Sequence, residues 1–572
     1  MSTHARPLAV WLAAASDAQL SALFEARGVR DDAAWADFFD AAEALLDPAS
    51  IERMLPRLTL AEAKALRGAV EGAQPGDEAS ALVSLGLVRA DGTPHPPVVD
   101  VVSARTVPSD AHVPEPASAA PTAAARAAER AFTTVAAVAD LVLLAAETPL
   151  ALLTGGGLAA GEKRRIAESG TLPSTLDDLV AIAIDTGIVT ASDRRLLATG
   201  TGESWLRLAA PDRWSALALA YRAALPRGLR STEGGWLPTT AWAGQYPWDP
   251  TWNDRVAALV ARAELLGLRA EDGSEPEWAR PLRLGAPADP TELQRMLPAE
   301  VDRIFLQNDL TAIAPGPLEP ALDVRLRHIA ERESAAQASS YRFTADSIAH
   351  ALTSGETAAS ILDFLGAISL TGIPQPLEYL VMQTAQRHGL VRVFTDWSGT
   401  TRVSSVDSTL LDAIGVDQAL RPLALVRDAD GLTSRVGRDT VYWTLTDARY
   451  PAMIVGADGA PLVVDRNPAP EAAMRPVPDY QPLIARLRAQ QGPDADAAWL
   501  DRELDAAVRA RAVLRVEIEM PDGTTRELQL EASGLGGGRL RGRDRAADVE
   551  RTLPVRSIRS ARVIDPTTSD KP

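Results

Sequence analysis

The chain has 572 residues, several times the roughly 150 residues of a typical domain, so a multi-domain build is expected. A hydrophobic fraction of 46% with 23% charged residues is that of folded globular proteins and excludes a wholly disordered or collagen-like chain. With 58 Lys and Arg against 76 Asp and Glu, the formal charge is −18, so nucleic acid can be met only through a local basic face.

From Leu8 to about Val88 apolar residues recur at helical spacing (Trp11, Leu20, Leu23-Phe24, Phe38-Phe39, Leu45-Leu46), predicting a helical domain over 1–90. Thr59 followed by Glu62 reads as a helix N-cap with its capping-box partner. Residues 91–126 turn rich in Pro, Ala, Ser and Thr, a composition with too little apolar surface for a core, and are expected to form a linker. The most apolar window, Ala131 to Leu153, contains Asp140, Glu147 and Pro149; a membrane span needs about 20 nearly uncharged residues, so a buried helix is expected.

Over 127–300 the order expected is that of a winged helix-turn-helix followed by a Trp-rich helical region. After the apolar helix come a Gly155-Gly156-Gly157 turn, a short helix from Gly161 and a longer one from Ser174 to Ile184. Ile188-Val189, a polar turn from Thr190 to Arg195, and Trp205-Leu206 are expected to form the wing. Glu162 to Arg230 holds ten basic and eight acidic residues. Lys163, Arg164, Arg165, Arg194 and Arg195 are the candidate phosphate contacts here; the alternative is a winged helix used only for packing or protein contact, because Asp177 and Asp178 at the start of the longer helix repel phosphates. Trp236, Trp242, Trp248, Trp252 and Trp278 can stack on bases, but they lack basic neighbours and read first as core anchors.

Between 301 and 466 the chain predicts an α+β module. Phe305-Leu306 and Thr311 to Ala314 read as strands about a turn at Asn308-Asp309, and Thr344 as the cap of a helix to Leu352. A helix opens after Glu356-Thr357, and another runs from Pro376 to His388, closed by Gly389. Leu390 to Val393, Leu423 to Val426 and Val441 to Leu445 are expected as strands, and Thr409 to Leu420 as a helix. The ordered blocks LQNDLTAIAPGPL, YRFTADSIAHALTSGETAASILDFL and PQPLEYLVMQTAQRHGLVRV resemble the helicase-associated domain at the N-terminus of XPB-type DNA repair helicases and in stand-alone actinobacterial proteins, most strongly over Asp302 to Val464. The resemblance implies a module for DNA or damage recognition beside a helicase motor, with DNA and a helicase or other DNA-processing protein as partners, and it implies no catalytic residue.

Residues 467–505 are expected as a linker and helix, and 506–566 as a small β-barrel. Val513 to Met520 and Thr524 to Leu530 alternate strictly about Pro521-Asp522-Gly523, a hairpin pattern. The unit resembles the SH3-like or WYL-type C-terminal unit of bacterial regulators, which leaves a ligand-sensing or protein-binding role as the alternative function. Arg539 to Arg562 holds eight basic and three acidic residues; Arg539, Arg541, Arg543 and Arg545 are candidate phosphate contacts, or else charges that guard an edge strand against pairing.

No catalytic signature emerges, and the expectation is a non-enzymatic chain without cofactor. The nearest approach to a phosphate loop, Gly155 to Lys163, places Glu162 where that loop needs its Lys, and Arg164 follows Lys163. No Gly-x-Ser-x-Gly elbow is present. Zero cysteines and 6 scattered histidines offer neither thiolate ligands nor a two-His helical pair, so no metal is expected. Met1 to Pro7 has no targeting pattern, and a reducing cytoplasm is the expected compartment.

Overall fold

A computed structural model describes residues 4–74, 76, 78–109, 112–168, 175–335, 338–464, 466, 478–491, 495–520 and 524–564. The fold is mixed α+β, about 48% helical, with four sheets among the described residues. Ser174, the Pro521-Asp522-Gly523 turn and most of the expected linker at 467–477 lie outside the described residues.

The N-terminal helices form because their apolar stripes close on one core that includes Leu8, Leu20, Phe24, Phe38 and Leu66. The Thr59 capping box is present: the hydroxyl accepts the Glu62 amide at 3.3 Å and the Glu62 carboxylate accepts the Thr59 amide at 2.8 Å. The same carboxylate, buried, also receives Arg227 at 2.5 Å, tying this domain to the next. Two expectations are corrected here. The stretch expected as linker holds a helix, Pro96–Val102, whose Val98 and Val102 enter the N-terminal core, and its end is the start of the helix Pro121–Glu147. Proline at the first helical turn is harmless, because that N–H lacks an intrahelical partner anyway. Likewise helix Gln481–Ala489, in the region expected as linker and helix, returns to the N-terminal domain. It buries Leu483, Ile484 and Leu487, and Arg488 donates to the Ala13 carbonyl at 2.5 Å.

Helix Pro121–Glu147 is the spine of the second unit, and among the described residues no helix is long and apolar enough to cross a membrane. Strand Leu150–Ala151, helices Ala160–Glu168 and Leu176–Asp185, and strands Val189–Ser192 and Arg195–Ala198 follow it. The third strand lies central in an antiparallel sheet, flanked by the other two. Trp205 and Leu206 do not belong to the wing: Trp205 ends helix Gly200–Trp205 and is buried, its indole N–H on the Arg213 carbonyl at 3.1 Å. The Trp-rich stretch is core. Trp236, Trp242, Trp252 and Trp278 share one cluster with the spine helix, and the indoles of Trp242, Trp252 and Trp278 donate to backbone carbonyls at 2.7 to 2.9 Å.

The middle of the chain builds two cores where one module was expected. The first packs helices Pro320–Ile329, Ala345–Thr353, Ala358–Ile368 and Gln375–Arg387 with an antiparallel sheet ordered Phe305–Leu306, Thr311–Ala314, Ser339–Arg342, Glu331–Ala335. Thr344 and Thr357 cap their helices as the sequence predicts, and Gly389, at φ +78°, follows the cap His388 in the left-handed conformation that closes a helix. The second core underlies a five-stranded sheet ordered Val426–Asp428, Gly431–Ser434, Thr401–Ser405, Val391–Thr395, Ala452–Ile454, with the last pair parallel. Residues 441–445, expected as a strand, lie in helix Arg438–Asp447. Val441 and Leu445 are one helical turn apart and both fully buried, so burial of that stripe overrides the strand preference of Val, Tyr, Trp and Thr. Leu423 ends a 3₁₀ turn, and the strand expected from it begins only at Val426.

At the C-terminus helix Ala495–Arg509 packs on a second five-stranded sheet, antiparallel throughout, ordered Val549–Pro554, Arg539–Asp544, Thr525–Gly536, Val513–Glu519, Ile558–Ile564.

Candidate nucleic-acid interface

The nine basic residues singled out by sequence fall at two separate places. In the second unit Lys163, Arg164 and Arg165 lie on helix Ala160–Glu168 and Arg194 and Arg195 at the turn between two strands. Lys163 is ion-paired to Asp177, and Arg165 to Glu162 at 2.8 Å. Arg164, Arg194 and Arg195 are exposed and, among the described residues, make no ion pair. Asp193 and Arg194 both adopt positive φ, 47° and 58°, which closes the two-residue turn and leaves Arg194 at its tip.

Helix Leu176–Asp185, the longer helix of the order expected from the sequence, presents Asp177, Asp178 and Asp185 and no cation. Arg262 of helix Trp252–Leu265 pairs with Asp178 at 3.3 Å and approaches Asp185 at 4.0 Å. Anionic and tied to a neighbouring helix, it is a poor instrument for reading a groove lined by phosphates.

On the C-terminal sheet Arg539, Arg541 and Arg543 project from one face of a single strand, alternating with buried Leu540, Gly542 and Asp544. Cross-strand neighbours decide which of them stay available. Arg543 sits opposite Glu531 and Glu550 and pairs with Asp548 at 2.7 Å. Arg545 approaches Glu531 at 3.7 Å. Arg551 is held at 2.5 Å by Asp544, whose carboxyl that bond keeps below the usual carboxylate range. Arg539 and Arg541 face Gly536, Pro554, Gly534 and Thr552 and, among the described residues, have no ion pair. On this strand, which is paired on both sides, the basic surface thus contracts to Arg539 and Arg541.

Between the spine helix and the middle units lies a cleft of about 1130 Å³. Its charges are balanced: Arg466 pairs with Asp447 at 2.8 Å and Arg449 approaches Asp346 at 3.7 Å. His328 and His350 stack with ring centroids 6.5 Å apart, and burial together with His350 pushes His328 below the ordinary imidazole value. Asp140 closes its inner end. That carboxylate, 2% exposed, accepts Arg327 at 2.6 Å and Arg332 from the first middle unit. Among the described residues no three His, Asp or Glu are grouped to hold a metal ion.

Sequence reasoning missed the Asp140 clamp, whose partners lie 187 and 192 positions away and leave no local signal. It also missed Arg392, Phe394 and Trp397 on the second middle sheet; an alternating Arg-Val-Phe strand running into Asp-Trp-Ser-Gly was the pattern that marks them.

Residues 304–429 match the family model described as helicase conserved C-terminal domain, spanning the first middle unit and the strands Val391–Thr395, Thr401–Ser405 and Val426–Asp428 of the second. No curated protein matches the chain. The matched segment is similar to a helicase-associated domain, and the likeness points to a helicase-related, nucleic-acid-associated role.

Proposed function

We propose that this chain is a non-catalytic, DNA-associated accessory protein that works with a separate helicase, in DNA repair or transcription, through a middle module resembling the N-terminal recognition region of XPB-type helicases. The observation that carries the reading is the family match over 304–429 within 572 residues that contain no phosphate-binding loop. Only three lysines occur, Lys64, Lys163 and Lys571, and none follows a glycine, whereas a nucleotide motor of the P-loop class needs Gly-Lys at that loop. The order helix, strand, two helices, two strands, with the last strand central in the sheet, supports a winged helix whose contact is the Arg194-Arg195 turn. The 3₁₀ turn Val555–Ser557 between the last two C-terminal strands supports an SH3-like unit that offers Arg539 and Arg541. The acidic helix Leu176–Asp185 favours a second reading, a protein-interaction scaffold that does not touch DNA.

Anisotropy titrations of the full chain on forked, duplex and single-stranded DNA across salt decide between them. Binding whose salt slope falls in Arg539→Ala/Arg541→Ala supports the accessory role. No binding below roughly 100 µM at low salt, weaker than ordinary nonspecific binders, supports the scaffold. Hydrolysis of ATP by the purified chain overturns the non-catalytic assignment.

A further inference from the structure

The second middle sheet has one buried and one open face. Val391, Val393, Val403 and Leu432 point into the core at 3% exposure or less. The opposite face of the same strands carries Arg392, Phe394, Arg402, Ser404 and Thr433, with Phe394 paired across to Arg402, Arg392 to Ser404 and Arg402 to Thr433. At the tip of the hairpin joining Val391–Thr395 to Thr401–Ser405 stands Trp397, 98% exposed.

A fully solvated indole on a flexible loop would mean little, but this loop is ordered. The Asp396 carboxylate accepts the Ser398 amide at 2.8 Å, the Ser398 hydroxyl at 2.6 Å, the Thr400 amide at 3.0 Å and Arg402 at 3.0 Å. Gly399, at φ +81°, supplies the left-handed residue that the turn demands. The backbone that carries the ring is therefore held in place before any partner arrives.

We propose that Trp397 and the open sheet face bearing Phe394 form a stacking platform for unpaired nucleotides, with Arg392 and Arg435 as phosphate contacts. This rests on the nucleic-acid role above and deepens it by naming single-stranded nucleic acid as the ligand. Arg392 is exposed and, among the described residues, has no ion pair; Arg435 is likewise exposed and unpaired there, two positions beyond Thr433 at the hairpin-tip end of the sheet. Arg402 is engaged by Asp396 and, at 3.2 Å, by Asp428, so it is not free for a phosphate. A face of arginines and hydroxyls around one phenyl ring lacks the apolar, charge-depleted centre of a protein interface, while aromatic faces flanked by cations are what unpaired bases and their phosphates require.

The test uses the full chain and a fluorescein-labelled oligothymidine, with a labelled blunt duplex as control. Trp397→Ala creates no cavity, since the ring is solvated, and its thermal melt should match that of the unaltered chain. The expected result is a loss of roughly tenfold or more in single-strand affinity, in line with one base–aromatic stack, recovery in Trp397→Phe, and no change on duplex. Unchanged oligothymidine binding by Trp397→Ala overturns the platform and leaves the accessory role standing, also if the variant loses a protein partner. Absence of binding to any nucleic acid by the unaltered chain overturns both.

Discussion

Among the described residues two five-stranded sheets carry arginines at alternating strand positions, and they pair those arginines to different degrees. On the C-terminal sheet, the richer in arginine, Arg543, Arg545, Arg551 and Arg559 all meet carboxylates, the last on Glu519 at 3.1 Å. On the middle sheet Arg402 meets Asp396 and Asp428 and Arg427 meets Asp412 at 3.3 Å, whereas Arg392 faces Ser404 across the hairpin and has no ion pair among the described residues. A count of cations along the chain therefore says little about basic surface: strand register decides which side chains stand opposite which, and a cation paired across a strand is no longer available to a phosphate.

The most demanding break of the contrast is at its extreme, where Arg327 and Arg332 both meet buried Asp140. Asp140→Ala leaves buried Arg332 without a carboxylate and Arg327 with only Asp323, at 3.8 Å, and should lower stability by about 3–5 kcal/mol, read from urea denaturation; a loss under about 1 kcal/mol would mean the carboxylate is not the clamp. Next in size, Arg392→Ala/Arg435→Ala should reduce the salt slope of single-strand binding by about 1.4, at roughly 0.7 per phosphate contact. The matched pair Arg543→Ala/Arg545→Ala should leave that slope unchanged, because those side chains already face Asp548 and Glu531; equal effects from both pairs would erase the distinction between the sheets.

The smallest effect is that of pH. Ser398 and Arg402 hold the Asp396 carboxyl well below the usual carboxylate range, and Arg551 lowers Asp544. A depressed folded-state value gives stability that is complete above the unfolded value of about 3.9 and is lost as pH falls below it. Both sheets should therefore be indifferent to pH between about 5 and 8 as far as these two groups are concerned. Amide exchange at Ser398 and Thr400 should accelerate only in stronger acid; acceleration near neutrality would show that another group holds the hairpin.

The elements that were legible in the sequence depend on neighbours close in the chain. Thr59 with Glu62, Thr344 and Thr357 as helix starts and Gly389 after its helix act within four positions, so their residue types announce them. The strict alternation of 513–519 gave its strand for the same reason. The candidate site was legible only as a collection of cations. Pairing of Arg543 with Asp548 lay within reach of a sequence reader; that of Arg545 with Glu531 and Arg559 with Glu519 needed the register.

Local periodicity and capping chemistry, read from the sequence alone, determined the α+β character, the helical start of the chain, the buried apolar helix and the family resemblance of its middle. Tertiary structure alone decided that helix Gln481–Ala489 completes the N-terminal core, that 441–445 is helical, that Asp140 binds two arginines nearly 190 residues away, and that Trp397 stands in solvent. Each of these depends on which distant surfaces meet. Burial of an apolar stripe outweighs local propensity wherever the two disagree.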